Sequence, residues 1–206
     1  MESNKDKIKV VGISGSMRAN SYTSAAIKIA LDGAKEFGAE VELIELSNYH
    51  LVFCNAEDEE NYPADVEKLR QKVEAAHGII IGTPEYHGGY SGILKNALDL
   101  MGFRQFEGKM MGLVGVAGGK MGAINALNGL RVVGRTLHSW VIPQQASISE
   151  SWKKFDENGN LLEEDLLKQV RNVGQQIAKF SYLHHSNQAM EFLRLWESSI
   201  ENPGAK

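Results

Sequence analysis

Four hydroxyl-bearing side chains and one arginine lie close together in the sequence, and their chemistry suits the binding of an anion. The hydroxyls belong to Ser14, Ser16, Ser21 and Thr23, and the arginine is Arg18. Hydroxyl groups donate single hydrogen bonds to phosphate oxygens, whereas a guanidinium group can contact two oxygens at once. The alternative is a turn whose hydroxyls only cap a following helix, but a cap does not need the arginine. We therefore expect this loop to hold a phosphate group.

Two better-known motifs do not fit the same stretch, Gly12–Thr23. The dinucleotide fingerprint G-x-G-x-x-G fails because Ser14 occupies the position of its second glycine. The nucleophile elbow G-x-S-x-G of serine hydrolases fails because Ser16 occupies its last position, although a distant His138 could complete a triad. The pattern that remains is a mononucleotide phosphate loop followed by a helix N-terminus.

The second candidate loop is Thr83–Gly92, which follows a run of β-branched residues and precedes a helix-like segment. It combines four turn-forming residues, three of them glycines, with Tyr86 and His87. Glycines allow the backbone to approach a flat ligand closely. A flavin ring needs backbone N–H groups along one edge and an open face for a hydride donor. The alternative is an ordinary strand-to-helix turn with an incidental aromatic residue, but we expect this loop to contact a ring.

A third loop, Ala117–Lys120, follows another apolar run and is expected at the same edge of the fold. It is not a Walker loop, because Val114 replaces the leading glycine and Met121 replaces the Ser or Thr. By itself the pattern is weak. If it lies beside the other two loops, this third loop could contact the pyrimidine end of the flavin ring.

Five stretches have the composition of strands, and helical periodicity follows each of them. The strands are predicted at Ile8–Ser14, Val41–Leu46, Gly78–Gly82, Met110–Ala117 and Ser139–Ser149, the last with Pro143 at a bulge or near an end. The helices are predicted after Ser21 as far as Phe37, and at Val66–Ala76, Gly92–Met101, Met121–Leu137 and Leu162–Ile177. This alternation predicts an α/β fold with a doubly wound parallel sheet.

The predicted sheet gives the two main loops a common location. In the flavodoxin-like strand order 2-1-3-4-5, ligands bind at the carboxyl ends of strands one and three, where the order reverses. The phosphate loop follows the first predicted strand, and Thr83–Gly92 follows the third. We therefore expect the two loops to form one site.

Length and composition favour a single domain and exclude several classes of function. We expect one domain over residues 1–206, with a C-terminal helical tail at about 184–206. A net charge of −4 disfavours a nucleic-acid partner, and no apolar run approaches the roughly twenty residues of a membrane span. One cysteine, Cys54, excludes an internal disulfide, and the six histidines lack metal-ligand spacing. The polar first residues do not resemble a secretory signal. We expect a cytoplasmic protein without a metal site.

These stretches together resemble the NADPH-dependent FMN reductase family. The resemblance covers roughly Lys7–Ile177, and its most specific part is P-E-Y at Pro84–Tyr86 followed by G-x-L-K-N-A-x-D at Gly92–Asp99. The resemblance implies a flavodoxin-like three-layer sandwich with a five-stranded parallel sheet. It also implies bound FMN and NADPH or NADH as the electron donor. The family includes quinone, chromate and azo reductases.

Carried onto this sequence, the resemblance names the residues that would hold FMN. The phosphate would be held by Ser16, Arg18, Ser21, Tyr22 and Thr23, the ring by Pro84, Glu85, Tyr86, His87 and Gly88, and its far end by Gly118, Gly119 and Lys120. Our own interpretation of the loop adds Ser14 to the residues that are expected to hold the phosphate. No side chain is expected to be a dedicated acid or base, because the flavin carries the chemistry. Tyr86 and His87 would border the ring.

Two positions depart from the family pattern. His87 stands where the family usually has Asn, and Ser91 stands where it often has Pro. His87 could change the electrostatics at the flavin edge or donate to a quinone oxygen. Alternatively, it is a polar substitute for Asn that faces solvent. Both departures concern the choice of acceptor rather than the cofactor.

The predicted function is an FMN-dependent NAD(P)H oxidoreductase that passes hydride through FMN to quinones, free flavins, metal ions or azo compounds. One alternative is a flavodoxin-type electron carrier that does not oxidise NAD(P)H itself. Another is a non-catalytic regulatory protein of the same fold. The resemblance also implies a homodimer or homotetramer, while the net charge and the absence of a long apolar run predict no nucleic-acid or membrane partner.

Overall fold

Five parallel strands form the central sheet of the protein. The computed structural model describes residues 7–56 and 62–198, and the strands of this part are β1 (Lys9–Ser14), β2 (Glu40–Glu45), β3 (Gly78–Tyr86), β4 (Gly89–Tyr90), β5 (Met110–Val116) and β6 (Trp140–Ile148). The order across the sheet is β2-β1-β3-β5-β6, and the short β4 pairs antiparallel with the end of β3. Without β4 this is the order 2-1-3-4-5, so the predicted flavodoxin-like topology is confirmed.

Helices cover both faces of the sheet. They are α1 (Tyr22–Glu36), α2 (Ala64–Glu74), α3 (Gly92–Asp99), α4 (Phe103–Phe106), α5 (Ile124–Thr136), α6 (Ser151–Lys154), α7 (Glu164–His185) and α8 (Asn187–Glu197). Helices α1 and α7 pack on one face, and α2, α3 and α5 pack on the other. Side chains of each strand alternate between the two layers, so that Val10 belongs to the layer of α1 and α7 while Val11 belongs to the layer of α2, α3 and α5. The three-layer sandwich follows from this alternation.

Helices α1 and α7 approach each other closely enough to require glycine at the contact. A Cβ atom at Gly174 would lie 1.7 Å from the Ala30 carbonyl oxygen, and one at Gly33 would lie 2.2 Å from the Arg171 carbonyl oxygen. Neither position has room for a side chain. The phosphate loop leads directly into α1, so this backbone contact fixes the helix that follows the loop.

The main error in the predicted boundaries concerns the third strand. It was expected to end at Gly82, but β3 continues to Tyr86. Beyond Gly82 the chain still pairs with β5, through Thr83 opposite Gly115 and Pro84 opposite Val116. Turn-forming residues suggested a loop here, and tertiary pairing with a neighbouring strand overrode that local signal. Helix α7 also extends past its predicted end, to His185.

The expected irregularity at Pro143 is confirmed as a bulge in the edge strand β6. Val141 pairs with Met111 and Gln145 pairs with Leu113, so three residues of β6 lie opposite one residue of β5. The Arg131 guanidinium group donates hydrogen bonds to the carbonyl oxygens of Ile142 (3.1 Å) and Pro143 (2.9 Å). A side chain of α5, Arg131, therefore stabilises the bulge.

The predicted C-terminal tail is described only in part. Helix α8 begins after Ser186, whose hydroxyl accepts the Ala189 N–H at 3.2 Å, and residues 199–206 lie outside the described part of the chain. The assignment of residues 1–206 to one domain stays a prediction. No helix among residues 7–56 and 62–198 is long and apolar enough to cross a membrane. In the same ranges, no three His, Cys, Asp or Glu side chains are grouped to hold a metal ion.

His77, at the amino edge of the sheet, is a hydrogen-bond acceptor in the folded protein. His77 Nδ1 accepts the backbone N–H of Lys9 at 2.9 Å, and the His185 ring meets it edge-on with 5.0 Å between centroids. Burial lowers the pKa of His77, and the positive charges of His185 and Lys109 lower it further. The folded protein therefore favours neutral His77.

Replacing His77 by Asn should remove one source of acid sensitivity. Because its pKa is depressed below 6.5, His77 binds a proton more tightly in the unfolded chain, and stability is lost as the pH falls from about 7 to about 5. An asparagine oxygen can accept the Lys9 N–H without titrating. Urea denaturation of both proteins across this range should show the wild type losing more free energy of unfolding than His77→Asn. Parallel pH curves would rule out this role for His77.

Candidate functional site

The phosphate loop and the ring loop are joined by hydrogen bonds at the carboxyl edge of the sheet. The Gly15 N–H donates to the Gly82 carbonyl oxygen at 2.8 Å, and the Ser91 hydroxyl donates to the Gly15 carbonyl oxygen at 2.6 Å. The Ser91 N–H donates to the Thr83 hydroxyl at 3.0 Å. The structure thus brings the two predicted loops together at the point where the strand order reverses.

Gly15 and Ser91 make this junction possible. A Cβ atom at Gly15 would lie 2.7 Å from the Leu94 Cβ and 3.1 Å from the Gly82 carbonyl oxygen. The Ser91 hydroxyl also accepts the Leu94 N–H at 3.3 Å and so caps the N-terminus of α3. The serine that departs from the family pattern therefore serves both as a helix cap and as the link between the loops.

Three serine hydroxyl groups of the phosphate loop make hydrogen bonds within the protein. Ser14 is fully buried, and its hydroxyl shares a 2.9 Å hydrogen bond with that of Ser24, beneath the loop. Ser21 caps α1 by accepting the N–H groups of Thr23 (3.1 Å) and Ser24 (3.4 Å). The capping interpretation thus applies to Ser21 itself. Ser16 is also buried, and its hydroxyl accepts the Arg18 N–H at 3.3 Å.

Arg18 and the start of α1 border open space. Arg18 is exposed, and it lines a polar cleft of about 620 Å³ together with Ser21, Tyr22 and the turn at residues 156–160. The Tyr22 ring is half-buried and stacks on Phe155, with 4.9 Å between centroids. A phosphate can therefore reach Arg18 and the first turn of α1, whereas the Ser14 hydroxyl faces the interior. The individual contacts of these residues with a phosphate stay predictions.

The ring loop is a β-hairpin with a two-residue turn. Tyr86 pairs with Gly89, and the residues between them, His87 and Gly88, have φ angles of +50° and +76°. Two successive positive φ angles are typical of a type I′ turn, in which Asn-Gly is preferred. Histidine tolerates positive φ better than most residues. The Asn that the family usually has at this position therefore has a backbone reason, and His87 meets the same requirement.

The substitution His87→Asn should leave the stability unchanged or slightly higher, because Asn is the residue that this turn prefers. His87→Val should lower the free energy of unfolding by about 1–2 kcal/mol, because a β-branched residue is strained at positive φ. Urea denaturation of the three proteins measures both changes. Equal stability of the Val and Asn variants would contradict the turn assignment.

The side chains of the ring loop point in different directions. Tyr86 and His87 are exposed at the tip, while Pro84 is buried in the sheet. The Glu85 carboxylate accepts the backbone N–H of Ala126, in the first turn of α5, at 2.9 Å. Tyr86, His87 and Gly88 lie exposed at the tip, whereas the described contact of Glu85 is with a helix. The predicted contacts of all five residues with the flavin stay predictions.

The third loop lies at the same edge and leaves room beside it. Gly118, Gly119 and Lys120 are exposed after β5, and the Gly119 carbonyl oxygen accepts the Glu150 N–H at 3.1 Å. A Cβ atom at Gly118 or Gly119 would meet no atom within 4 Å. An accessible arginine beside a helix N-terminus, an exposed aromatic residue and this open glycine edge fit the phosphate, the ring and the far end of FMN respectively.

The most specific stretch of the family resemblance supports the site indirectly. The Asn96 amide donates to the Val52 carbonyl oxygen at 2.8 Å and accepts the Cys54 N–H at 2.9 Å. Asp99 pairs with Lys95 at 2.6 Å. Asn96 thereby holds the segment after β2 against α3, whereas the Lys95–Asp99 pair lies within α3 itself. Sequence reasoning did not find this role, nor that of Ser91, which was signalled only by its position directly before a helix.

Replacing Ser91 by Ala should destabilise the protein by about 2–4 kcal/mol, because it removes a helix cap and leaves the buried Gly15 carbonyl oxygen without its donor. Urea denaturation measures the loss. Ser186→Ala is the matched control, because Ser186 also caps a helix but joins no loops, and it should cost about 1 kcal/mol. Equal losses in the two variants would show that the bond between the loops contributes nothing.

A flavodoxin-like sheet with a phosphate loop and a ring loop joined at its switch point defines a mononucleotide-binding protein of the flavodoxin-like class. Residues 8–153 match the family described as NADPH-dependent FMN reductase. The chain belongs to that family. The resemblance predicted from the sequence, with FMN and NAD(P)H as its cofactors, is therefore confirmed.

Individual relatives support the same assignment. An NAD(P)H-dependent FMN reductase of Pseudomonas aeruginosa is 35% identical over 168 residues, which cover 77% of this chain and 87% of the relative. An FMN-dependent NADPH-azoreductase of Staphylococcus aureus is 34% identical over 163 residues, which cover 77% and 86%. Among solved structures, the apo form of an NADH:FMN oxidoreductase superposes with a TM-score of 0.71 at 23% identity, over 88% of this chain and 91% of that one. At this level of identity, the similarity to the solved structure shows a shared fold.

Proposed function

We propose that the protein is an FMN-dependent oxidoreductase that transfers hydride from NADPH or NADH, through FMN, to small acceptors such as quinones, free flavins, metal ions or azo compounds. Family membership supports the reaction class. The structural observation that carries the proposal is the junction of the two loops through Gly15 and Ser91. The junction joins the loop predicted to bind phosphate to the aromatic-bearing hairpin, and this adjacency supports a nucleotide with a ring at one end.

In the proposed site the protein binds and orients, and the chemistry belongs to the cofactor. FMN, when bound, accepts hydride from the nicotinamide and passes two electrons on to the acceptor. Arg18 and the N-terminus of α1 would hold its phosphate. The hairpin at Tyr86–Gly88 and the glycines of the third loop would border the ring and leave one face open. Donor and acceptor would use that open face in turn.

An absorption spectrum before and after anaerobic NADPH tests the proposal. The wild type should bind FMN, its flavin bands should bleach with NADPH, and a quinone should restore them. Arg18→Ala should weaken FMN binding by about tenfold or more, because a charge-assisted hydrogen bond to phosphate is lost. Once saturated with FMN, the variant should still bleach, because Arg18 acts on the phosphate rather than on the ring.

Arg135→Ala is the matched control, since Arg135 is equally exposed but lies in the last turn of α5. Full FMN occupancy in Arg18→Ala would show that the phosphate assignment is wrong. Wild-type protein that binds FMN but does not consume NADPH with a quinone would be a flavodoxin-type carrier. Protein that binds no FMN would be the non-catalytic alternative. Either of these results would overturn the proposed reaction.

We also propose that the enzyme is cytoplasmic and forms a homodimer or homotetramer. The single cysteine of the sequence suits a reducing compartment. Helix α8 supports self-association, because its large apolar side chains, Met190, Phe192, Leu193, Leu195 and Trp196, are 43–65% exposed. A helix of 11 residues is marginal in water without a packing partner. A second copy of the chain can supply that partner.

A further inference from the structure

Helix α5 begins without a cap of its own. Its N-cap residue is Ala123, which has no side chain able to accept a hydrogen bond, and its first turn contains no acidic residue. The first N–H groups of a helix need partners from elsewhere. The positive end of the helix dipole here also lacks a local negative charge.

Two side chains from other elements supply the missing partners. The Ser147 hydroxyl, on β6, accepts the Ala123 N–H at 2.9 Å. The Glu85 carboxylate, near the end of β3, accepts the Ala126 N–H, also at 2.9 Å. Glu85 adds the negative charge that the dipole favours. Of these two partners, only Glu85 belongs to the ring loop.

The rest of the hairpin lies along the same helix. Tyr90 is paired with Glu85 across the hairpin, and its ring packs where Gly129 lacks a side chain, since a Cβ atom there would lie 2.9 Å from Tyr90 Cε1. At the turn, a Cβ atom at Gly88 would lie 4.0 Å from the Asn125 amide nitrogen. The hairpin therefore rests on the first two turns of α5, with Glu85 as its hydrogen-bonded anchor.

We propose that Glu85 is a positioning residue, which fixes the ring loop on α5 and through it the backbone that borders the flavin. The third loop leads directly into α5. By bonding to that helix, Glu85 therefore fixes the ring loop and the third loop relative to each other. This inference rests on the proposed function only in that the ring is FMN. It differs from the expectation that Glu85 touches the ring, because the carboxylate acts through the helix.

The test compares Glu85→Ala, Glu85→Gln and Ser147→Ala. The glutamine can still accept the Ala126 N–H, whereas the alanine cannot. Ser147→Ala also uncaps α5 but leaves the hairpin untouched. Amide hydrogen exchange is measured by NMR on the apo-proteins at Ala126 and at Tyr86–Gly89. FMN dissociation constants are measured by quenching of flavin fluorescence.

In Glu85→Ala, exchange at Ala126 and across Tyr86–Gly89 should be faster by about tenfold, and FMN binding should be weaker by about tenfold. Glu85→Gln should stay within about threefold of the wild type in both measurements. Ser147→Ala should speed exchange near Ala123 but leave FMN binding within about threefold. With saturating FMN, Glu85→Ala should raise KM for NADPH more than it lowers kcat.

Three results would overturn the inference. One is faster exchange in Glu85→Ala at Ala126 alone, with the hairpin unchanged. Another is equal loss of FMN binding in Glu85→Gln and Glu85→Ala, which would indicate a direct contact between the charged group and the flavin. The third is equal loss in Ser147→Ala and Glu85→Ala, which would indicate only a general effect on α5. If wild-type protein binds no FMN, the proposed function fails, while the exchange data still decide whether Glu85 fixes the hairpin.

Discussion

The hydrogen bond from the Ser91 hydroxyl to the Gly15 carbonyl oxygen is the interaction on which the site depends. The two loops that it joins leave neighbouring strands, and the last backbone bond between those strands is the one from the Gly15 N–H to the Gly82 carbonyl oxygen. A short bond between buried groups is strong in this setting because neither partner can exchange it for water. The same hydroxyl starts α3. One side chain thereby links the predicted phosphate loop, the ring loop and the start of α3.

The two loops are supported by contacts with neighbouring elements of the fold. Asn96 holds the segment after β2, Glu85 and Ser147 complete the start of α5, and glycine contacts fix α1 against α7. None of these residues needs to touch FMN. The stretch G-x-L-K-N-A-x-D, through which the sequence resembles its family, therefore includes a residue, Asn96, with a scaffolding contact. A motif can be diagnostic of a function while its residues do structural work.

Much of this could be predicted from the sequence, because hydrophobic periodicity and loop placement follow local rules. The two candidate loops, the Ser21 cap and the irregularity at Pro143 all have local signals, whereas the strand order was predicted from the flavodoxin-like fold type rather than from any local pattern. The extension of β3 to Tyr86 had no local signal, because its pairing partner lies on β5. The carboxylate of Glu85 was expected at the ring, but no local pattern reveals a helix N-terminus some forty residues away. For the same reason, the sequence could not show that Ser14 hydrogen-bonds Ser24 beneath the loop.

The turn at His87 and Gly88 has a consequence for how such enzymes diversify. Positive φ at position 87 limits the residue there to a small set, chiefly Gly, Asn, Asp and His. Within that set only histidine can both donate and accept a proton near neutral pH. An exchange between Asn and His thus changes the side chain at the exposed tip of the hairpin without altering the backbone. The constraint on backbone shape thus leaves one chemical choice open at the exposed tip of the hairpin.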